Sequence, residues 1–167
     1  GAPGGAPAPH HLRLTGTAAA LFEMVGRERR RKAGMVLDQA ATPVLDVTVE
    51  VDDTTVGATP DDTAALAIGI NAAPTVALAN TTMTFPEDTD TSSAIKVADI
   101  VITDDALGTN DLSLSGTDAA LFEIVGLELR LKAGMVLEQA SNPVLDVTVE
   151  VDDTTVGATP DDTAALA

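Results

Sequence analysis

Apolar and polar residues alternate along several short segments of the chain. In 144–151 the odd-numbered positions are all Leu or Val, and mainly Asp, Thr and Glu stand between them. Successive side chains of a β-strand point to opposite faces, so this period of two predicts a strand with one buried and one solvated face. The strand is predicted to end at Asp152 and Asp153, ahead of the loop residues Gly157 and Pro160.

Other segments are predicted as strands because they alternate or end at Gly, Pro or paired Asp residues: 63–70, 82–85, 98–103, 112–115 and 127–132. The segment 119–122 is predicted as a single helical turn or a loop that plugs the core. About seven short strands with turn signals between them are typical of a β-sandwich. We therefore predict an all-β, Greek-key sandwich, with one near-complete domain preceded by a partial one.

The chain contains a repeat with a fixed offset of 100 residues. Residues 43–67 and 143–167 are identical, and the match continues backward, with differences, to Leu12 and Leu112. A unit of this length has the size of one sandwich domain. Near-identical copies are typical of spacer or adhesive arrays, and a recent duplication would leave the same pattern. The predicted organisation is a flexible lead-in (1–11), a partial repeat lacking its first strands (12–70), a linker (71–80) and a repeat with a truncated last strand (81–167).

One strand differs sharply between the two copies. The first copy carries arginine where the second carries leucine, with Arg27, Arg29 and Arg31 in place of Leu127, Leu129 and Leu131. All three positions are predicted to face inward, and burying three unpaired guanidinium groups would cost several kcal/mol each. We therefore expect the first copy to expose this face and to be the less ordered half. A polyanion site on the same basic stretch is the alternative.

Composition narrows the class of protein. The chain is 45% hydrophobic but only 2% aromatic, so its core must be built from aliphatic side chains. It has no cysteine, which excludes disulfides, thiolate metal sites and cysteine nucleophiles. The sequence contains no run of 18 apolar residues, so no transmembrane helix is predicted. The Gly-, Ala- and Pro-rich lead-in lacks the basic start and apolar centre of a signal peptide.

The net charge of −17 bears on partners. A surface this acidic repels the phosphate backbone of nucleic acids and anionic membrane surfaces. It attracts divalent cations, although acidity also serves simply to keep a protein soluble. We expect no nucleic-acid partner and no direct insertion into a membrane.

Short motifs follow one another in the second copy: Phe-Pro-Glu-Asp at 85–88, Thr-Asp-Asp at 103–105, Leu-Ser-Leu-Ser-Gly at 112–116, Ala-Leu-Phe-Glu-Ile at 120–124, Leu-Arg-Leu-Lys-Ala-Gly at 129–134 and Val-Thr-Val at 147–149. The join Ile-Asn-Ala-Ala-Pro at 70–74 precedes them. In this order they resemble bacterial cadherin-like repeats of large secreted or surface proteins. The resemblance covers nearly all of 68–167 and, with gaps, 12–67, and it implies a cadherin-like sandwich.

In that family calcium lies between successive repeats and stiffens the array. The resemblance implies Glu87 as an early glutamate ligand and Asp104 and Asp105 as the Asp-x-Asp loop, with Asp105 preferred. Asp152 and Asp153 end a strand and could point to the same place. Calcium takes six to eight oxygen ligands, which separate loops would have to supply together. The alternative is that these acids are solvated loop ends, where aspartate is common.

The sequence departs from the family pattern at several expected ligands. Alanine stands at 40 and 140, where the family has a glutamate. The two linker positions at which the family has acidic residues hold Gly69 and Ala72 in this chain. Asn71 is then the only expected linker ligand that remains. Calcium affinity follows the number of charged ligands. We therefore expect a weak calcium site rather than a tight one.

These features predict a structural or adhesive repeat module of an extracellular or cell-surface protein. Its expected partners are neighbouring repeats and a cell-surface protein or polysaccharide. A carbohydrate-binding module is the alternative. Sugar rings usually stack on exposed aromatic side chains. The sequence has only three aromatic residues, and all three are expected to be buried: Phe22, Phe85 and Phe122. No enzyme is predicted, because His10 and His11 lie in the lead-in and no nucleophile, nucleotide or zinc motif occurs.

Overall fold

The computed structural model describes residues 10–166, and its contacts divide the chain into two units, Gly1–Ile70 and Asn71–Ala167. Most of the predicted lead-in lies outside the described residues. His11 does not belong to a lead-in, because it is the first residue of a strand.

The described residues of unit 1, 10–70, form five strands: β1 His11–Thr15, β2 Phe22–Val25, β3 Glu28–Arg31, β4 Val44–Asp52 and β5 Asp62–Gly69. β4 lies between β1 and β5 in an antiparallel sheet, and β2 and β3 form a separate hairpin. A short 3₁₀ helix precedes β2. The core is small because few apolar side chains from the two sheets meet; its buried members are Ala18, Phe22, Leu45 and Val47.

In unit 2 the residues described, 71–166, form seven strands: β6 Thr75–Ala79, β7 Ile95–Thr103, β8 Asp111–Ser115, β9 Phe122–Val125, β10 Glu128–Leu131, β11 Val147–Asp152 and β12 Asp162–Leu166. They form a sheet in the order β6-β7-β10-β9 and another in the order β12-β11-β8. A 3₁₀ helix at Ala119–Leu121 occupies the place predicted for a helical turn. The predicted all-β sandwich is confirmed.

The core of unit 2 follows the period of two seen in the sequence. Val147, Val149 and Val151 of β11 are fully buried, while the residues between them are half-buried. The opposite sheet contributes Leu129 and Leu131, both fully buried. Other buried members are Val76, Val97, Ala98, Ile100, Phe122 and Leu166. The strands therefore enclose one continuous apolar core.

The leucine-to-arginine contrast is partly as predicted. Arg27 and Arg31 are exposed in unit 1 and Arg29 is half-buried, so the expectation that this face is not buried is confirmed. The inward orientation predicted for Leu127 is wrong, because 55% of this residue is exposed. It lies with Gly126 in the turn between β9 and β10, where strand alternation no longer applies.

The structure differs from the sequence-based prediction in two segments of unit 2. Thr75–Ala79 falls in the predicted linker 71–80 but forms β6, which pairs with β7. The backbone N–H of Val76 in this strand also donates a 2.8 Å hydrogen bond to the Asp162 carboxylate. The segment 82–85, predicted as a strand, is not one. Asn80 ends β6 with a φ of 49°, a left-handed conformation that breaks the extended backbone just before it.

Candidate functional site

Three stretches of backbone meet at one end of unit 2, where β7 and β11 finish. β7 ends at Thr103 and β11 ends at Asp152. The chain enters β6 from Asn71, and Thr75 pairs with Thr103, which places this entry beside the loop that follows β7. The loops at this end carry three predicted ligands, Asp104, Asp105 and Asp153.

Asp153 is the centre of this end. Its side chain is fully buried and accepts bonds at both carboxylate oxygens. Oδ1 accepts from the N–H and the hydroxyl of Thr155, at 2.9 and 2.8 Å, and Oδ2 accepts from the amide of Asn71 at 2.8 Å. The backbone N–H of Asp153 donates to the Asp161 carboxylate at 2.7 Å. The carboxylate therefore ties the loop after β11 to the entry of β6.

These bonds lower the pKa of Asp153. The largest cause is the N–H of Thr155, followed by the amide of Asn71 and the Thr155 hydroxyl. Each donor stabilises the charged form, and together they outweigh the loss of hydration on burial. Asp153 is therefore a buried group that stays ionised at neutral pH.

Asp105 and Asp104 fix the loop after β7 in a similar way. Asp105 Oδ2 accepts the backbone N–H of Ala72 at 2.9 Å, and Oδ1 accepts that of Leu107 at 2.9 Å. Asp104 accepts the N–H of Asp105 at 2.7 Å and the side-chain amide of Asn110 at 3.0 Å. Asn71 and Ala72 thus bind two different loops through two different carboxylates.

Gly108 allows the loop to close over Asp153. Its φ is 69°, and a Cβ built there would lie 1.8 Å from Asp153 Oδ2 and 2.6 Å from the amide nitrogen of Asn71. Real Cβ contacts are never this short, so no other residue fits without displacing the carboxylate. The backbone of Gly108 thus covers the bond between Asn71 and Asp153.

The other two predicted ligands, Glu87 and Asp152, make no contact with this cluster of hydrogen bonds. Glu87 is exposed and lines a groove together with Glu138, near the start of β11 and so at the opposite end of the strand from Asp152 and Asp153. Asp152 pairs in register with Asp111 of β8, and its Oδ1 is buried without a partner among the described residues. The structure therefore brings together Asp105 and Asp153, with Asp104 beside them, and leaves Glu87 apart.

Comparison with solved structures identifies the fold. The first four extracellular cadherin domains of protocadherin gamma B7 match with a TM-score of 0.52 and 19% identity, over 93% of this chain and 38% of that chain. A protocadherin gammaB7 EC3-6 cis-dimer structure matches with a TM-score of 0.54 and 19% identity, over 95% of this chain and 38% of that chain. The EC1-2 region of chicken VE-cadherin matches with a TM-score of 0.51 and 15% identity, over 93% and 82%. The fold of this chain is cadherin-like.

The cadherin-like assignment concerns the fold alone, because all three identities are below 20%. The chain spans 38% of the length of the protocadherin chains that it matches. No protein-family model matches the sequence, and no curated protein matches it.

The cadherin-like resemblance implies calcium, and the residues of unit 2 can be tested for it. The amide oxygen of Asn71 is buried without a partner, which is an oxygen that a cation could use. Against this, Asp105 and Asp153 already accept bonds from protein donors at both carboxylate oxygens. Across residues 10–166, no three His, Cys, Asp or Glu side chains are grouped so that they could hold a metal ion. These residues do not make up the six to eight oxygens that calcium requires.

Unit 1 shows which part of the arrangement belongs to the repeat itself. Asp53, the counterpart of Asp153, also accepts the N–H and hydroxyl of Thr55 and donates from its own N–H to Asp61. It is half-buried, whereas Asp153 is fully buried. The hydrogen-bonded turn around this aspartate therefore occurs in both copies of the repeat. In unit 2 the aspartate is also completely buried, and there it accepts the additional bond from Asn71.

The sequence motifs indicate Asp105 and Asp153 but not the residues that bind them. In the motif Asn71 is only the remaining polar residue of the linker, and no motif includes Thr155 or Gly108. Thr155 stands two residues after Asp153, the spacing of a turn in which an aspartate side chain accepts the N–H two residues on. That signal was available in the sequence, whereas the contact with Asn71 depends on the fold.

Two further features bear on function in this cadherin-like chain. Phe22 and Phe122 are buried as expected, and Phe85 is half-buried, so none offers an exposed ring to a sugar. The helices found in residues 10–166 are single 3₁₀ turns, too short to cross a membrane.

Proposed function

We propose that the chain is a structural and adhesive repeat module of an extracellular or cell-surface protein. The observation that carries this proposal is the repetition of one 100-residue pattern in a chain with a cadherin-like fold. Such a chain contributes contact surfaces and length rather than chemistry. Neighbouring repeats of the same protein and a cell-surface protein are the partners we propose.

The cluster around Asp153 suits a mechanical role. Asn71 packs its amide between Asp153 and Thr155, and the next N–H, that of Ala72, binds Asp105. Two consecutive residues therefore hold the loops after β7 and β11 together at the entrance of the domain. Bonds between a charged acceptor and a neutral amide in a buried place are stronger than exposed ones, so this end resists opening.

Calcium has a smaller part in this proposal than in the family pattern. Asp105 and Asp153, with the amide oxygen of Asn71, are the groups we propose for any calcium contact within unit 2. Asp104 lies beside them, while Asp152 and Glu87 do not join them. With so few charged oxygens, we propose that binding by unit 2 is weak.

A bead assay tests the adhesive function. Beads coated with the chain are mixed with one another, with cells, and with beads coated with an unrelated acidic β-sandwich of matched charge. We expect aggregation of the coated beads or their attachment to cells, above the level of the matched control. Absence of both, with the coating folded by circular dichroism, would contradict the adhesive proposal.

A further inference from the structure

Asn71 faces Asp153 with the nitrogen of its side-chain amide and not with the oxygen. Its Nδ2 lies 2.8 Å from Oδ2 of Asp153 and 2.8 Å from the hydroxyl oxygen of Thr155. An ionised carboxylate offers only lone pairs, so the group that faces it must donate hydrogens. Asn71 is therefore a donor at this place, which is the opposite of the metal ligand that the linker motif implies.

The bonds among these three side chains form a closed ring. The Thr155 hydroxyl donates to Asp153 Oδ1 at 2.8 Å, and its oxygen accepts from the Asn71 amide, which also donates to Asp153 Oδ2. Both hydrogens of the amide and both oxygens of the carboxylate are thus in use. Calcium binds through oxygen lone pairs, so a cation would need the same carboxylate oxygens that the ring occupies.

Neutral donors alone balance the buried charge of Asp153. The cations that form ion pairs in the described part of unit 2 are Lys96 and Arg130, and neither pairs with Asp153. Burial removes the hydration of a carboxylate, which must be replaced by donors or by a cation. The Asn71 amide therefore supplies part of the positive potential that calcium supplies in the pattern implied by the resemblance.

Gly108 leaves no room for a cation beside this bond within the described residues of unit 2. A Cβ built on it would lie 1.8 Å from Asp153 Oδ2 and 2.6 Å from the Asn71 nitrogen. The second carboxylate is held by the next residue of the chain, because the N–H of Ala72 donates to Asp105 Oδ2 at 2.9 Å. A cation can therefore enter only if the amide of Asn71 is displaced.

We propose that Asn71 makes this end of unit 2 independent of calcium by holding the place of a cation. The closed ring and a bound calcium ion exclude each other, so the weak calcium contact proposed above requires the amide to turn away. Aspartate has nearly the same shape as asparagine but offers oxygens in place of hydrogens. The residue at 71 then decides whether the chain itself or a metal holds the loops after β7 and β11 together.

Asn71→Asp tests the proposal in the whole chain, with melting followed in chelator and in calcium. In chelator the new carboxylate faces that of Asp153, and the melting temperature of unit 2 is expected to fall by at least about 5 °C. Calcium is expected to reverse the fall. Calorimetry is expected to give a calcium dissociation constant at least about tenfold below that of the parent, because a charged ligand has been added. The parent is expected to melt nearly alike in both solutions.

Asn142→Asp is the matched control. Asn142 is also half-buried, and its amide donates to Asp118 Oδ1 at 2.7 Å, near the start of β11 and not at its end. The control therefore loses the same kind of bond and gains the same charge at a distance from Asp105 and Asp153. Calcium is not expected to restore its stability.

Three results would overturn the proposal. Parent-like stability of Asn71→Asp in chelator would show that the amide does not hold the buried charge. Failure of calcium to restore this variant, including a chain that stays unfolded by circular dichroism, would show that no cation fits the place of the amide. Equal restoration of Asn142→Asp would reduce the effect to charge screening. Adhesion of the parent is measured separately, so failure of either proposal leaves the other standing.

Discussion

The side-chain amide of Asn71 donates a 2.8 Å hydrogen bond to Oδ2 of Asp153, a residue 82 positions later in the chain. The bond joins the first residue of unit 2 to the loop after its central strand β11. Because Asp153 is fully buried, water cannot replace the donor when it is lost.

Replacing Asn71 by alanine is therefore expected to lower the melting temperature of unit 2 by several degrees. The control is Asn110→Ala, which removes an amide bonded to the Asp104 carboxylate at an exposed site. Water can solvate that carboxylate, so its loss should have little effect. Calorimetry of the parent and the two variants makes the comparison. Equal melting temperatures for both variants would show that the Asn71 bond carries no special stability.

Acid is expected to destabilise unit 2 through Asp153. Its pKa is lowered in the folded chain, first by the Thr155 N–H and next by Asn71, so the unfolded chain takes up the proton more readily. The stabilisation is complete above the ordinary aspartate pKa of about 3.9 and is lost as the pH falls through the lower folded pKa. Urea unfolding between pH 6 and pH 3 should show a steeper decline for the parent than for Asp153→Asn. Parallel pH profiles would contradict the assignment.

Gly108→Ala is expected to destabilise unit 2 by about 3 kcal/mol, from left-handed strain together with the overlap of the new Cβ with Asp153. Gly126→Ala is the matched control. Gly126 also has a positive φ, 62°, but nothing lies within 4 Å of an added Cβ. Strain alone should cost about 1 kcal/mol there. Chemical denaturation measures both values, and a cost at Gly108 no larger than at Gly126 would show that the loop does not press on the carboxylate.

Calcium is expected to shift the melting temperature only slightly. A site with a dissociation constant of about 10 mM would contribute about 0.2 kcal/mol at 5 mM calcium, or about 1 °C for a domain of this size. Melting curves in calcium and in chelator, with magnesium to control for charge screening, measure the shift. A rise of many degrees specific to calcium would mean that the acids of this chain form a fuller shell than the described residues show.

Amide exchange should be faster in unit 1 than in unit 2. Val47 and Val147 are both almost fully buried, but the core around Val147 is much larger. Opening of the smaller core costs less free energy, so its amides exchange sooner. Exchange followed by nuclear magnetic resonance at these two valines tests the expectation that the first copy is the less ordered half. Equal protection would refute it.

Local pattern predicted the strands well where each strand is buried on one face. Val147 and Val149 are fully buried as their alternation indicated, because side-chain direction in a strand is set by the backbone itself. The inward orientation predicted for Leu127 was wrong because a turn interrupts the strand alternation at that residue. β6 was missed because its few residues follow Pro74 and look like part of a linker, while their role depends on pairing with β7.

The candidate site was predictable only in part. Asp105 and Asp153 follow the ends of β7 and β11, and the sequence pattern indicates both as loop acids. Glu87 was grouped with them because a linear motif does not specify the end of a sandwich at which each loop lies. The bond from Asn71 joins residues far apart in the chain, so only the three-dimensional arrangement reveals it.

Because the segments that contain β4 and β11 are identical in sequence, each residue of one segment can serve as the reference for its counterpart in the other. Residues 100 apart within 43–67 and 143–167 share the same intrinsic conformational preferences and differ only in their surroundings. A chemical shift, a proton uptake or a mutational effect measured at both members of such a pair, in one tube, separates environment from amino-acid identity.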